Sequence, residues 1–267
     1  MHGVVLALAL GLAWGIRCYP VTATGAWGQR WRRALAQLVT PPLFILMAAM
    51  AVIWMGPTGQ MGDPISFWLA RGVWLAAGAG LGYLGWQGGR TVRRLKQHPE
   101  VTVPGFGPVR EIPSEVPFAA QMGFWHSQTV VATGLQQCLD AEHLTAVLWH
   151  ERAHAQYRDT FWFFWLGWLR WCSRWLPQTP ELWQELLLLR ELRADRLAAQ
   201  KVSPLVLAEA LLQTAGWQAS PVTVGASDRL TERIEALLAD SPPPEASPIP
   251  WTIAFSLLPL LCIPFHF

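Results

Sequence analysis

The most specific chemical signal in the chain is the string His150-Glu151-Arg152-Ala153-His154. On a helix, side chains four positions apart share a face, so both imidazoles can reach one metal ion. Glu151 stands one position round, where a carboxylate can take a proton from water activated by that metal. Neutral imidazole suits Zn²⁺, and two histidines plus one carboxylate leave a fourth position open. A metal held in this way brings the pKa of water close to neutrality and makes it a nucleophile. The candidate carboxylate is Glu191, in Glu191-Leu192-Arg193-Ala194-Asp195. Glu191 and Asp195 are also four apart. Glu191 can complete a two-His, one-Glu site, while Asp195 accepts the second ring N–H of a ligand histidine. Alone, that second string reads as a solvated helix surface. With the H-E-x-x-H upstream, the ligand reading moves ahead.

Several elements must position these residues. Asp140 is a natural N-cap for a helix from about 141 to 158, with Leu144, Val147 and Leu148 on one apolar face. Thr129, Val130, Val131 and Thr133 favour a strand before it, ended by Gly134. The Pro/Gly-rich stretch 98–117 reads as extended chain, and a second good helix covers about 181–200. Shorter helical patterns occupy 204–217 and 228–240, and the Pro-rich run 241–250 reads as a stiff linker. Residues 161–176 are different. Trp162, Trp165, Trp168, Trp171 and Trp175 fill one half of a helical wheel, with Arg170 and Arg174 on the other. That pattern predicts a helix lying in the headgroup plane, with a Trp-rich core helix as the competing reading. Zinc–ligand bonds of about 2 Å keep His150, His154 and Glu191 on one side of any membrane, so this segment does not cross one singly.

Composition places the site in a membrane protein. The 267 residues are 52% hydrophobic and only 14% charged, with 17 Trp, against about 25% charged in a soluble domain. Mean hydropathy is +0.24. A disordered chain, a coiled coil and a nucleic-acid arm are excluded. The net charge of +2 gives no argument for a polyanionic partner, so no direct nucleic-acid contact is expected. Cys18, Cys138, Cys172 and Cys262 are scattered with no CxxC pair, which argues against a disulfide framework or a zinc ribbon.

Four stretches are candidate spans: 2–16, 38–56, 65–86 and 249–266. The first is read as a retained span, since no basic residue precedes it. Arg17, Arg30, Arg32 and Arg33 follow the first span, and Arg90, Arg93, Arg94 and Lys96 follow the third. The loop between the second and third carries Asp63 and no Lys or Arg. The positive-inside rule then puts both basic loops in the cytoplasm. The glycines Gly78, Gly80, Gly82 and Gly85 let the third span approach a neighbour closely.

These features together resemble the integral-membrane zinc metallopeptidases of the BlaR/MecR signal-transducer type (metallopeptidase family 56). The likeness runs from VVATGL through DAEHLTAVLWHERAHAQYRD to RELRADRLAAQ and DRLTERIEALL. It implies a mainly α fold: a four-span helical membrane domain with a cytoplasmic, gluzincin-like α+β zinc protease module inserted before the last span. The boundaries become 1–89 for the membrane domain with three transmembrane helices, 90–248 for the protease and 249–267 for the fourth helix. The resemblance implies zinc on His150, His154 and Glu191, with Glu151 as general base. It also implies a multi-pass protein of the plasma (inner) membrane that cleaves a protein or peptide. A BlaI-like transcriptional repressor is a candidate substrate by analogy only. No penicillin-binding sensor domain follows the last span in this sequence, so β-lactam sensing is not carried over.

The expected mechanism adds a substrate strand alongside residues 127–133. Glu151 deprotonates water and then protonates the leaving amine. His126, Tyr157 and Arg193 are candidates to stabilise the oxyanion. The alternative reading is a membrane signalling adaptor or scaffold with a structural or inactive zinc site. Structural sites are usually closed by four protein ligands, and the spare His143 sits seven residues before His150, too far along the helix axis to share its ion. A transporter fits less well, because the spans lack an inverted repeat or convergent charges.

Overall fold

The long apolar stretches of the first hundred residues fold as three helices. In the computed structural model, which describes residues 2–21, 24–58, 63–218 and 224–239, these are α1 (His2–Arg17), α2 (Trp27–Met55) and α3 (Pro64–Leu95). The rest of the chain supplies β1 (Glu100–Val103), β2 (Gly107–Ile112), β3 (Ala119–Met122), β4 (Gln128–Ala132) and α4 (Thr133–Cys138). After these come α5 (Ala141–Gln156), α6 (Asp159–Cys172), α7 (Thr179–Ala198), α8 (Pro204–Gln218) and α9 (Val224–Leu238). The described chain is thus mainly helical with one small sheet. It forms two compact units: residues up to 86 with 165–186, and 87–164 with the described part of 187–243.

In the first unit α2 continues through Pro41 and Pro42. Proline has no N–H to give the carbonyl four residues earlier, so Pro42 leaves the Leu38 carbonyl without its helical donor. Arg17 supplies one. Its guanidinium is fully buried and donates to Leu38 O at 3.3 Å, Thr179 Oγ1 at 2.8 Å and Ser173 Oγ at 3.0 Å. Arg30 is buried as well, paired two-pronged with Glu185 at 2.6 and 3.0 Å. Two of the four arginines expected in a cytoplasmic loop are therefore internal struts, and they drop out of the charge count.

The expected four spans are also reduced. Among the described residues one helix, α2, is long and apolar enough to cross a membrane, and 67% of its most apolar window is buried inside the unit. At 16 residues α1 is about 24 Å long, short of a bilayer core of about 30 Å. The 32 residues of α3 are long enough, but Arg71 and a run of glycines leave no window as apolar. The stretch 249–266 and the linker 241–250 lie outside the described residues.

The Trp-rich segment packs in part on protein. Trp168 Nε1 donates to Ala77 O at 2.8 Å, and the Trp171 ring sits where a Cβ on Gly80 would be 2.4 Å away. Gly80 is what lets α3 and α6 approach so closely, while Gly78, Gly82 and Gly85 face open space. Two of the five tryptophans assigned to lipid thus pack on protein. Trp162 and Trp175 stay half exposed.

The second unit is built on a sheet of order β1-β2-β4-β3. The Pro/Gly-rich stretch expected as extended chain is a hairpin, turned at Gly105 and Gly107, whose φ angles are +79° and +117°. β2 pairs parallel with β4, and β3 pairs antiparallel with its other side. β4 is therefore an interior strand, like β2, with Val130, Val131 and Ala132 buried. Helix α4 follows immediately, with Gly134 as its second residue. A Cβ there would meet the Glu115 carbonyl oxygen at 2.2 Å, so glycine is required for the backbones to pass. Asp140 caps α5 as expected, accepting from the backbone N–H groups of Glu142 and His143 at 3.0 and 2.9 Å. Leu148 anchors α5 to Val109, Val131, Leu135 and Leu139, with Leu144 and Val147 at the margin of that cluster.

Candidate metal centre

Helix α5 buries His150, Glu151 and His154 and turns both imidazoles towards α7. His150 Nε2 and His154 Nε2 are 3.1 Å apart. Glu191, from α7, brings Oε2 to 3.2 Å from His150 Nε2 and Oε1 to 3.7 Å from His154 Nε2. Ligand atoms about 2 Å from a tetrahedral ion stand roughly 3.3 Å from one another. The three donors match that spacing. Glu151 lies beside them, since His150, Glu151 and His154 each offer an atom within 4.8 Å of the other two.

The far nitrogens of both rings are held by carboxylates. His154 Nδ1 lies 2.8 Å from Asp159 Oδ2. His150 Nδ1 lies 2.7 Å from Asp195 Oδ1, a close ionic contact set off the line of a good hydrogen bond. A carboxylate at Nδ1 favours the N–H there and leaves the lone pair on Nε2. Two such lone pairs facing each other at 3.1 Å repel unless a positive charge lies between them. This donor set fits a divalent cation of the zinc type.

Electrostatics agree with the geometry. Burial disfavours a charged His150, yet Asp195 and Glu191 outweigh it and push its pKa up to about 10. His154 is likewise raised, against burial, by Asp159 and Glu191. Burial would raise Glu191, but the two histidines and Arg233 hold it well below the usual carboxylate range. The carboxylates around the two rings thus favour positive charge where the side chains meet.

The structure thus brings His150, His154, Glu191 and Asp195 together, with Glu151 alongside. It also supplies residues that spacing did not suggest. Asp159 reaches His154 because the chain leaves α5 through Arg158 in a left-handed conformation, φ 52°. A carboxylate five residues past the motif was the available signal, but the turn that aims it is not legible in sequence. Arg193 donates to Asp159 and lies 3.9 Å over the Tyr157 ring. His126 is exposed in the β3–β4 turn. Arg190 grips Glu191 Oε1 at 2.6 and 3.0 Å. Arg233, from α9, donates to both oxygens of Asp195 at 2.7 and 2.8 Å. His143 is elsewhere, between Asp140 and Glu209.

Asp159→Asn is expected to weaken zinc binding about 10- to 100-fold by releasing the His154 ring. Competition with a chromophoric chelator measures it, and an affinity equal to wild type would remove Asp159 from the site.

Compared with known proteins, the chain matches no family model, no curated protein and no solved structure.

Proposed function

We propose that the chain is a membrane-embedded zinc endopeptidase of the BlaR/MecR type, cleaving a cytosolic or membrane-proximal protein. The observation that carries this reading is the convergence of His150, His154 and Glu191, with the Glu151 carboxylate next to them. Zinc held by those three residues would supply a Lewis acid that polarises a peptide carbonyl and acidifies water. Glu151 accepts the proton of the attacking water and returns it to the leaving amine. Asp195 and Asp159 keep the two imidazoles oriented throughout.

The docking strand has to differ from the one expected. β4 is paired on both sides, so residues 127–133 have no free edge. Among the described residues the outer edge of β3, Ala119–Met122, is unpaired. An extended substrate would add there, held by main-chain hydrogen bonds.

For the membrane, the support is surface chemistry. Leu8 and Leu12 on α1, with Trp68, Leu69 and Leu75 on α3, are exposed and would be better covered by hydrocarbon than by water. We assign the first unit to the inner membrane, anchored by α2. The basic residues Arg90, Arg93, Arg94 and Lys96 favour a cytoplasmic metal centre. A BlaI-like repressor is the substrate suggested by analogy.

The test compares membranes carrying wild-type and Glu151→Gln protein for peptides that differ in abundance. Fragments present with wild type and absent with the variant are expected. Identical peptide profiles would overturn the reading.

A further inference from the structure

Helix α9 follows the metal-site helices in sequence and carries no expected ligand. Its apolar side docks through Leu237 and Ile234 onto Ala146 of α5, Ala198 of α7 and Leu207 and Ala208 of α8. That docking brings Arg233, the residue before Ile234, to the back of the site. Its Nε and one terminal nitrogen grip Asp195, and its other terminal nitrogen lies 3.6 Å from Glu191 Oε2. The oxygen of Asp195 that receives the second prong is the one 2.7 Å from His150 Nδ1.

We infer that Arg233 is a positioning residue of the metal centre, holding Asp195 and Glu191 in the arrangement in which His150 and Glu191 meet one cation. The inference rests on the zinc reading of the site. One guanidinium touches the carboxylate that orients a ligand and also stands beside a ligand itself. Arg193 on Asp159 repeats only the first half of that arrangement. A planar fork with fixed donor directions can set the plane of the Asp195 carboxylate, whereas a lysine ammonium supplies charge without that direction. Burial opposes the charge on Arg233, but Asp195, Glu191 and Glu151 together hold it protonated. Without it, the buried carboxylates of Asp195 and Glu191 repel one another, and Glu191 is left with Arg190 alone as its guanidinium partner, on the oxygen Oε1. The affinity of the centre then depends on α9 being docked.

The test uses the full chain in detergent and reads metal binding instead of proteolysis. Zinc affinity comes from chelator competition, and ligand geometry from the visible absorption of the cobalt(II) form. Arg233→Gln is expected to lower zinc affinity about 10- to 100-fold and to change the cobalt spectrum. Arg233→Lys keeps the charge but not the fork, and should fall between the two. Circular dichroism and a melting curve confirm that each protein is folded. If Arg233→Gln does not fold, Arg233→Lys carries the test by the same comparison. Folded variants that melt earlier yet bind zinc with wild-type affinity and spectrum make Arg233 merely structural and overturn the inference. Wild-type protein that binds no zinc overturns the metal reading, and this inference falls with it.

Discussion

Glu151→Gln is expected to retain zinc and lose peptide cleavage by about 10²- to 10⁴-fold, the usual contribution of a positioned general base. The substitution changes little in size or hydrogen-bonding reach. It removes only the carboxylate that takes the proton. Glu151 is buried beside the histidines, shielded from bulk solvent. The zinc content of the variant separates two roles. If Glu151 were a fourth ligand in a closed structural site, its loss would weaken zinc binding, whereas a base leaves it intact. Elemental analysis of the purified variant, beside a cleavage assay, reads both. Cleavage at the wild-type rate would refute Glu151 as the base.

His150→Ala is the second large effect, and it should abolish the metal. Four-ligand zinc sites bind with about 10–16 kcal/mol, so one ligand is worth about 3 kcal/mol, more than 100-fold in affinity. His150 carries a further share, because it is the ring that Asp195 and Arg233 orient. The alanine variant leaves the Asp195–Arg233 pair intact, so the packing of α7 against α9 survives and the protein stays folded. Zinc should fall from one equivalent to a small fraction in protein that keeps its circular dichroism. Full zinc content in folded His150→Ala protein would mean that the metal binds elsewhere.

Much of this centre was legible before the fold was known, for reasons that are local. The i, i+4 spacing puts His150 and His154 on one face of α5, and Asp140 caps that helix two and three residues ahead. Glu191 and Asp195 share a face of α7 by the same spacing. The illegible parts depend on distant partners. Asp159 is aimed by a left-handed residue, and Arg233 meets Asp195 from 38 residues away. The β1–β2 hairpin was masked by its prolines and glycines. The parallel pairing of β2 with β4, which makes β4 interior, is non-local.

The membrane reading shows the same limit. A count of flanking charges assumes that each is solvated. Arg17 and Arg30 instead find partners more than 150 residues away and become part of the packing of the first unit. Span length, likewise, is decided by where a helix ends. Apolar stretches that look similar in sequence gave one helix of 29 residues and another of 16.

X-ray absorption at the zinc edge of the loaded protein is the most direct measurement. We expect one zinc per chain, a nitrogen/oxygen shell at about 2.0 Å and the outer-shell scattering of two imidazole rings. Glu191→Gln should alter that shell. A sulfur shell at about 2.3 Å, fewer than two imidazoles, or a spectrum indifferent to Glu191 would contradict the account.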